Sequence, residues 1–218
     1  MPSPAIRILA ALLAVAACLA LSACGSAKTT KTTTTTGPLQ LGPAFPDIAK
    51  LPGALTTKPP WPANNDSNTL QLRLRKIGLP ALNAEGQVVH IHQHLDLFAN
   101  GEPVTVPAQI GIDAAGAYIA PLHTHDATGV LHVESPTVAT FTLGQIFAVW
   151  GVRLDRTCIG GLCAGGGKQL RVWVNGKPLN ADPTRIELAA HEEIVIAYGT
   201  PAQMPKSIPS SYAFGADL

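Results

Sequence analysis

The histidines of this chain are concentrated in short segments at every-second-residue spacing. Six of the seven histidines fall within His90 to His94 (His-Ile-His-Gln-His), Pro121 to Asp126 (Pro-Leu-His-Thr-His-Asp) and His132 to Glu134 (His-Val-Glu). Neutral imidazole is the commonest protein ligand for transition metals. The pattern therefore predicts a metal site built from these segments.

Strand geometry limits how the imidazoles can share an ion. Alternate residues of a strand lie about 6.6 Å apart, so two of them can converge on one ion whereas three in a row cannot. We therefore expect two histidines of the first segment to bind together with both histidines of the second, at metal–nitrogen distances of about 2 Å. The leading set is His92, His94, His123 and His125, and His90 is the remaining candidate of its segment.

The third segment supplies a further candidate ligand. His132 and Glu134 share one face of their own strand, and the turn that begins at Asp126 brings that strand back beside the second segment. One of these two side chains is expected to complete the ligand shell.

Two aspartates are candidates for supporting the ligands. Ligating imidazoles usually donate their other ring N–H to a carboxylate or a carbonyl, which fixes the tautomer. Asp96 and Asp126 lie close in sequence to the histidines, and Asp126 is the preferred partner. The alternative for Asp126 is a simple cap of the turn that it opens.

The available donor atoms favour zinc or copper. Imidazole suits Zn, Cu, Ni and Fe. Met204 is the only methionine after Met1, and the cysteines of the exported chain are expected to be modified or paired. This scarcity of sulfur argues against a thioether Cu(I) carrier and against a blue-copper centre. Zn²⁺ and Cu²⁺ are the two expected ions.

Several functions are compatible with such a cluster. The leading interpretation is a module that captures or hands over a divalent transition metal, with a protein of the cell envelope as a possible partner. The first alternative is a metal-dependent enzyme with an open site of three histidines and Glu134 as general base. The second is a metal-free interaction domain that senses pH, because free histidine titrates near pH 6.5. A solvated strand face without any site is the baseline alternative, and it is the favoured interpretation for the isolated His191.

The amino terminus has the pattern of an export signal. Arg7 precedes an apolar stretch from Ile8 to Leu21, which is shorter than the roughly 20 residues that span a bilayer. The sequence Leu21-Ser-Ala-Cys24 that follows resembles the lipobox of bacterial lipoproteins. This resemblance implies cleavage before Cys24, diacylglycerol on its thiol, an acyl chain such as palmitate on its amine, and anchoring on the outer face of the cell membrane. Ordinary secretion is the alternative.

The charge of the exported chain argues against nucleic acid as a partner. Residues 1–23 contain one of the 15 basic residues and no acidic residue, so their removal leaves basic and acidic residues equal in number. A phosphate backbone attracts an excess of basic side chains, which is lacking here.

Cys158 and Cys163 flank a glycine-containing loop. Because disulfides persist outside the cytoplasm, we expect these two cysteines to form a local disulfide. A thiolate metal pair is the alternative, but the spacing is a weak zinc signal without a neighbouring histidine.

Composition divides the exported chain into three parts. Residues 24–63 are rich in Thr and then in Pro, which predicts a flexible to semi-extended tether. Residues 64–200 have the length of one domain, which contains the histidines. Residues 201–218 form a C-terminal tail.

The elements of the domain are predicted from periodicity and turn residues. Two helices are expected, one starting at Asp66 or Ser67 and ending at Gly78, the other between Thr142 and Gly151. A strand is the alternative for the first, because Leu70, Leu72 and Leu74 also fit a strand period. Hairpin turns are expected at Asn100-Gly101, at Asp126 to Gly129 and at Asn175-Gly176. Hairpins, one packed helix and two further strands, Leu170 to Val174 and Ile194 to Ala197, indicate an α+β, antiparallel β-rich domain. Their order resembles a β-grasp, and a β-sandwich is the alternative.

The histidine segments also resemble a set of exported prokaryotic proteins. The likeness rests on four segments taken together, and its specific motifs are HxHxH and PLHTHDxxGxxHxES. The segments are His90 to Gly101, Pro121 to Ser135, Phe141 to Gln145 and Glu193 to Gly199. It covers most of the folded domain, and it implies no activity.

Overall fold

A computed structural model describes residues 38–216 and 218. The predicted signal peptide at residues 1–23, the predicted lipidation site Cys24 and the first part of the predicted tether lie outside the described residues. Among the residues that are described, no helix has the length and apolar character needed to cross a membrane.

A mixed sheet forms the centre of the domain. Its seven strands are β1 (Val89–Ala99), β2 (Glu102–Val104), β3 (Leu122–His123), β4 (Val130–Ser135), β7 (Gln169–Val174), β8 (Lys177–Pro178) and β9 (Glu193–Gly199). The short strands β5 (Cys158–Ile159) and β6 (Leu162–Cys163) form a separate hairpin. The described α-helices are α1 (Ser67–Lys76) and α2 (Leu143–Trp150).

The strand order confirms the predicted α+β, β-rich fold. The order is β3-β4-β1-β9-β7-β8, and β2 continues along β1 on the edge that β4 leaves free. The central strands β1 and β9 are parallel, whereas the other paired strands of this sheet are antiparallel. Helix α2 lies in the connection from β4 to β7. A single sheet with a parallel central pair and one such helix agrees with the β-grasp-like arrangement rather than with a β-sandwich.

Both helices start and end at the predicted signals. Asp66 caps α1 by accepting a hydrogen bond from the backbone N–H of Thr69 (3.0 Å). At the start of α2, the Gln145 side chain accepts from the backbone N–H of Thr142 (2.8 Å), and Gly151 ends the helix in the left-handed region with φ +85°. The predicted apolar face of α2 is buried in the same core as the apolar residues of β1.

The alternation along β1 separates two chemical faces. Leu95 and Leu97 lie on the face that belongs to the hydrophobic core. The histidines of this strand, at every second position, lie on the opposite face. The sheet therefore carries the core on one side and the candidate metal ligands on the other.

The packed region extends beyond the predicted boundary at Asn64. Ile48 and Trp61 are buried in the core, and Leu55 bridges to Val152. Pro62 accepts a hydrogen bond from the indole N–H of Trp150 (2.7 Å). We call residues 38–63, the described part of the predicted tether, the strap. The strap packs on the domain through apolar residues whose irregular spacing gives no helix or strand period in the sequence.

Cys158 and Cys163 form a disulfide across the β5–β6 hairpin. This pairing confirms the sequence prediction and excludes these two sulfurs from binding a metal as thiolates.

Candidate metal centre

Three neighbouring strands bring one histidine each into a single row. His123 of β3 is the register partner of His132 of β4, and His132 is in turn the partner of His92 of β1. Directly paired residues of a sheet project to the same side. The rings of His92 and His132 meet edge to face with centroids 4.6 Å apart, and those of His123 and His132 stack at 5.3 Å.

Glu134 lies next to this row and contacts four imidazoles. It follows His132 by two residues on β4 and pairs with His90 on β1. Its Oε1 atom is 3.0 Å from Nδ1 of His132, 3.4 Å from Nε2 of His90 and 4.0 Å from Nε2 of His92. Its Oε2 atom is 3.7 Å from Nε2 of His123. One carboxylate therefore contacts candidate ligands from three strands.

His125 lies just beyond β3 and closes the cluster on one side. Its Nε2 atom is 3.2 Å from Nε2 of His123 and 3.3 Å from Oε1 of Glu85. Its ring centroid is 4.5 Å from that of His132. We call these five histidines and Glu134 the histidine cluster: His90, His92, His123, His125, His132 and Glu134.

The histidine cluster is buried at its base and open at its rim. His92, His123, His132 and Glu134 are all buried. The side chains of His90 and His125 are 42% and 41% exposed. Solvent therefore reaches the cluster past two imidazoles on opposite sides of Glu134.

A backbone carbonyl fixes the tautomer of His123. Its Nδ1 atom lies 3.0 Å from the carbonyl oxygen of Ala120. Because a carbonyl oxygen can only accept, Nδ1 carries the proton and Nε2 presents its lone pair to the cluster. Metal-binding imidazoles typically have this arrangement, in which one ring N–H donates to a carbonyl and the other ring nitrogen is free to bind the ion.

Side-chain contacts hold the segment between His123 and His125. The hydroxyl of Thr124 donates to the carbonyl of Pro107 (2.8 Å) and accepts from the backbone N–H of Ile110 (3.0 Å). The amide of Gln109 donates to the carbonyl of His125 (3.1 Å). The two rings therefore project from a segment that is fixed to the 107–110 loop.

Burial keeps the deepest imidazoles neutral. Desolvation lowers the pKa of His92 and the pKa of His123 to about 4 in each case. Burial opposes ionisation of Glu134, but the hydrogen bond from His132 and the nearby imidazoles hold the pKa of that carboxyl below its usual value. Near neutral pH the cluster therefore combines free nitrogen lone pairs with a carboxylate, which is the state that metal binding needs.

Two buried atoms of the cluster have no hydrogen-bond partner among the described residues. They are Nε2 of His92 and Oε2 of Glu134. A buried polar atom without a protein partner is costly, and such atoms commonly bind an ion or a water. The donor atoms also have suitable distances. Those of His123, His125, His132 and Glu134 lie within 4.8 Å of one another, as do those of His90, His92 and Glu134.

His94 belongs to a different environment, and its predicted place in the leading ligand set is corrected. Its Nδ1 atom contacts Oε2 of Glu193 (2.9 Å) and its Nε2 atom contacts the carbonyl oxygen of Thr128 (2.9 Å). Hydrogen bonds therefore occupy both ring nitrogens, and neither is available to the histidine cluster. Burial opposes its charge, but the bond to Glu193 raises the pKa of His94. Tyr212 stacks on the ring at 3.8 Å.

The supporting roles expected of the two aspartates also differ. Asp126 is exposed and accepts from the backbone N–H of Thr128 (2.9 Å) and from its hydroxyl, so it caps the turn. The carbonyl of Ala120 performs the task that was predicted for Asp126. Asp96 lies with His94 and Glu193 in a separate group of candidate ligands. Burial raises the pKa of Glu193, and the nearby Asp96 carboxylate adds to that effect.

Three contact residues were missed from the sequence. Glu85 precedes the first histidine segment within a loop, and Glu193 and Tyr212 lie far along the chain from the rings that they contact. A carboxylate near a histidine in sequence was the signal available for Glu85. His191 is exposed, as expected for an isolated histidine.

Comparisons of the chain with protein-family models, with curated proteins and with solved structures return no match. The likeness to exported prokaryotic proteins and to lipoproteins stays a prediction from short motifs.

Proposed function

We propose that this protein binds a divalent transition metal, Zn²⁺ or Cu²⁺, at the histidine cluster and does so as a lipid-anchored protein outside the cytoplasm. The observation that carries the proposal is the grouping of five imidazoles around Glu134, four of them in contact with its carboxylate, with buried donor atoms of His92 and Glu134 left without partners. Imidazole and carboxylate together are typical donors for these ions.

The protonation state of the buried rings favours metal binding over pH sensing. A metal-free pH sensor needs histidines that gain a proton near pH 6.5. Desolvation instead lowers the pKa of His92 and of His123 to about 4. These rings stay neutral through that range, and neutral rings are metal ligands.

The half-open rim favours exchange of the ion over a purely structural role. Structural zinc sites are closed by four protein ligands, whereas sites that transfer or use the metal keep an accessible side. His90 and His125 are both partly exposed. An incoming ion, a donor protein or a receiving protein of the envelope therefore has direct access to ligands on either side of Glu134.

The location of the protein is proposed from the sequence, with one structural observation in support. The lipobox-like Leu21 to Cys24 provides the anchor. The Cys158–Cys163 disulfide is typical of proteins in oxidising compartments. Residues 25–37 then connect the anchored cysteine to the strap.

Elemental analysis of the untagged protein, extracted from membranes in detergent, tests the metal proposal. We expect at least one equivalent of Zn or Cu per chain. Combined replacement of the row, His92→Ala, His123→Ala and His132→Ala, should lower bound metal at least tenfold. His191→Asn is the matched control, because His191 is exposed and has φ +61°, a conformation that asparagine tolerates. A wild-type chain without metal that also binds none on dialysis against Zn²⁺ and Cu²⁺ contradicts the proposal.

Labelling of growing cells with palmitate tests the anchor separately. The wild-type chain should incorporate label and sediment with membranes, and Cys24→Ala should abolish both. Cys18→Ala is the control, since this cysteine lies in the predicted signal peptide. Unlabelled wild-type protein in the soluble fraction contradicts lipidation and leaves the metal proposal standing.

A further inference from the structure

The histidine cluster contains more donors than one tetrahedral ion can use. Zinc in proteins is almost always bound by four ligands when the site is structural, and by three plus water when it is catalytic. The cluster offers five imidazoles and one carboxylate. Its donors fall into two groups, one made of His123, His125, His132 and Glu134 and the other of His90, His92 and Glu134. Glu134 is the member that both groups share.

The two oxygens of Glu134 face different groups. Oε2 lies 3.7 Å from Nε2 of His123 in the first group. Oε1 lies 3.4 Å from Nε2 of His90 and 4.0 Å from Nε2 of His92 in the second. Oε1 also accepts from Nδ1 of His132 at 3.0 Å, so this oxygen lies at the border between the groups.

The buried atoms without partners are distributed in the same way. Nε2 of His92 belongs to the second group, and Oε2 of Glu134 faces the first. Both side chains are more than nine-tenths buried. A single ion placed in either group would leave the orphaned atom of the other group unsatisfied.

We propose that the cluster binds two divalent transition-metal ions bridged by the Glu134 carboxylate. This inference rests on the proposed function and adds the number of ions and the bridge. The first ion is bound by His123, His125, His132 and Glu134, and the second by His90, His92 and Glu134. Two ions that share one bridging ligand in this way lie about 3.5–4 Å apart. The second ion has three protein ligands against four for the first, so it is the more weakly bound and the exchangeable ion.

Metal titration of the full-length protein counts the ions. Protein stripped with a chelator is dialysed against Zn²⁺, and bound zinc is then measured per chain. We expect two equivalents for wild type and for the control His191→Asn. We expect one equivalent for His90→Ala with His92→Ala, and one for His123→Ala with His125→Ala. One equivalent in the wild type overturns the two-ion centre and leaves the proposed function intact, whereas none overturns both.

Single replacements at the exposed rim avoid variants that fail to fold. His90 and His125 are matched in exposure and belong to different ions. In a calorimetric titration with Zn²⁺, His90→Ala should weaken the weaker binding step at least tenfold and leave the tighter step unchanged. His125→Ala should weaken the tighter step. If both variants weaken the same step, the two-ion centre is wrong.

Electron paramagnetic resonance of bound Cu²⁺ tests the Glu134 bridge directly. One equivalent of Cu²⁺ should give the paramagnetic signal of an isolated ion, and the second equivalent should reduce the integrated signal because the two spins interact across Glu134. Glu134→Gln should remove this interaction. Two independent copper signals of full intensity in the wild type overturn the bridge.

Discussion

For two rings on the same strand face, His92 and His94, the neighbouring residues shift the pKa in opposite directions. His92 pairs across the sheet with His132 and has no partner for its Nε2 atom, and desolvation lowers its pKa to about 4. His94 pairs with Glu193 on β9. Burial lowers its pKa, but hydrogen bonds at both ring nitrogens, to Glu193 and to the carbonyl of Thr128, outweigh that effect and raise it. Neighbouring strands therefore decide which histidines of an alternating run can bind a metal.

The sequence predicted a metal site at the histidine segments, but it did not predict that His92 and His94 would have different surroundings. Spacing alone showed that the three histidines of β1 would not share one ion. The separation of His94 depends on the parallel pairing of β1 with β9, which brings Glu193 beside a ring 99 positions earlier in the chain. No local pattern encodes the register of a parallel pair, so His94 was placed in the leading set and Glu193 was missed.

Buried Glu192 provides a prediction about pH. Burial raises the pKa of Glu192 from its usual 4.5 to about 7, and its carboxyl accepts from the backbone N–H of Ala189. Between these pH values the folded chain binds more protons than the unfolded chain. The contribution of Glu192 to stability therefore falls as pH rises from 4.5 to 7. The loss is at most about 3.5 kcal/mol, from roughly 1.4 kcal/mol per unit of pKa.

Glu192→Gln should remove this loss, because its neutral amide oxygen can still accept from Ala189. Chemical unfolding at pH 5 and pH 8 measures the effect. We expect the variant to gain stability over wild type at pH 8 and little at pH 5. Glu102→Gln, on an exposed position of β2, is the control and should change neither value. An equal effect of Glu192→Gln at both pH values contradicts the prediction.

At the scale of elements, the β3–β4 connection places three histidines and needs a glycine to do so. Gly129 has φ +92°, and a Cβ there would lie 2.7 Å from the carbonyl oxygen of Leu95 and 2.9 Å from Nε2 of His94. The close approach lets the turn pack on β1 and lets the carbonyl of Thr128 accept from His94. The sequence indicated the turn, since glycine favours positive φ, but not the contact.

Gly129→Ala should therefore destabilise the fold by more than backbone strain alone. Gly116→Ala is the matched control, because Gly116 also has positive φ, +71°, but no atom lies within 4 Å of the point that a Cβ would occupy there. We expect the control to cost about 1–2 kcal/mol and Gly129→Ala to cost at least about 1 kcal/mol more from overpacking. Equal midpoints of urea unfolding for the two variants would show that the close contact relaxes freely.

Helix α1 is attached to the rest of the domain through a buried arginine. The guanidinium of Arg73 donates to the carbonyl of Val149 at the end of α2 (2.9 Å), to that of Pro52 (3.3 Å) and to that of Asn64. Arg73 is fully buried, and desolvation lowers its pKa to about 10. One side chain thus satisfies carbonyls from the strap, the start of α1 and the end of α2.

Arg73→Met should leave these carbonyls without a donor and lower the free energy of unfolding by about 3 kcal/mol, since each stranded buried acceptor costs roughly 1–3 kcal/mol. Arg75→Met on the exposed side of α1 is the control, and it loses only a contact with Gln71. Urea unfolding of both variants measures the difference. A loss below about 1 kcal/mol for Arg73→Met would show that water replaces the guanidinium.

The elements with periodic signals were predicted well, and the strap was not. The caps at Asp66 and Gly151 and the hairpin turns lie where their residue types indicate. The segment before Asn64 packs through Ile48 and Trp61 without a helical or strand period, and its prolines suggested an open chain. The surface against which this segment packs is formed by residues that are far apart in the chain, so no local sequence pattern could predict the packing.

On the scale of the whole molecule, the C-terminal segment and the strap both close over the domain. Tyr212 stacks on His94, and Phe214 stacks on His191. These contacts cover the sheet face beside the histidine cluster and leave His90 and His125 accessible. Among the described residues of the cluster, His90 and His125 are therefore the candidate ligands that solvent reaches most readily.

Metal binding should be linked to folding of the entire domain. The ligands come from β1, β3, β4 and the segment after β3, so the unfolded chain has no comparable site. An ion that binds only the folded state stabilises it by about 2.7 kcal/mol at a free concentration 100 times its Kd. Zn²⁺ should accordingly raise the midpoint of thermal unfolding, and a chelator should reverse the shift.

The variants separate this linkage from nonspecific effects of the ion. His191→Asn should show the full shift, because an exposed ring outside the cluster adds nothing to binding. Glu134→Gln should show a smaller shift at the same zinc concentration, because it removes the carboxylate that contacts rings from all three strands. A shift of equal size in Glu134→Gln and wild type would mean that zinc stabilises the fold from another place, and the convergence on Glu134 would then have no role in binding.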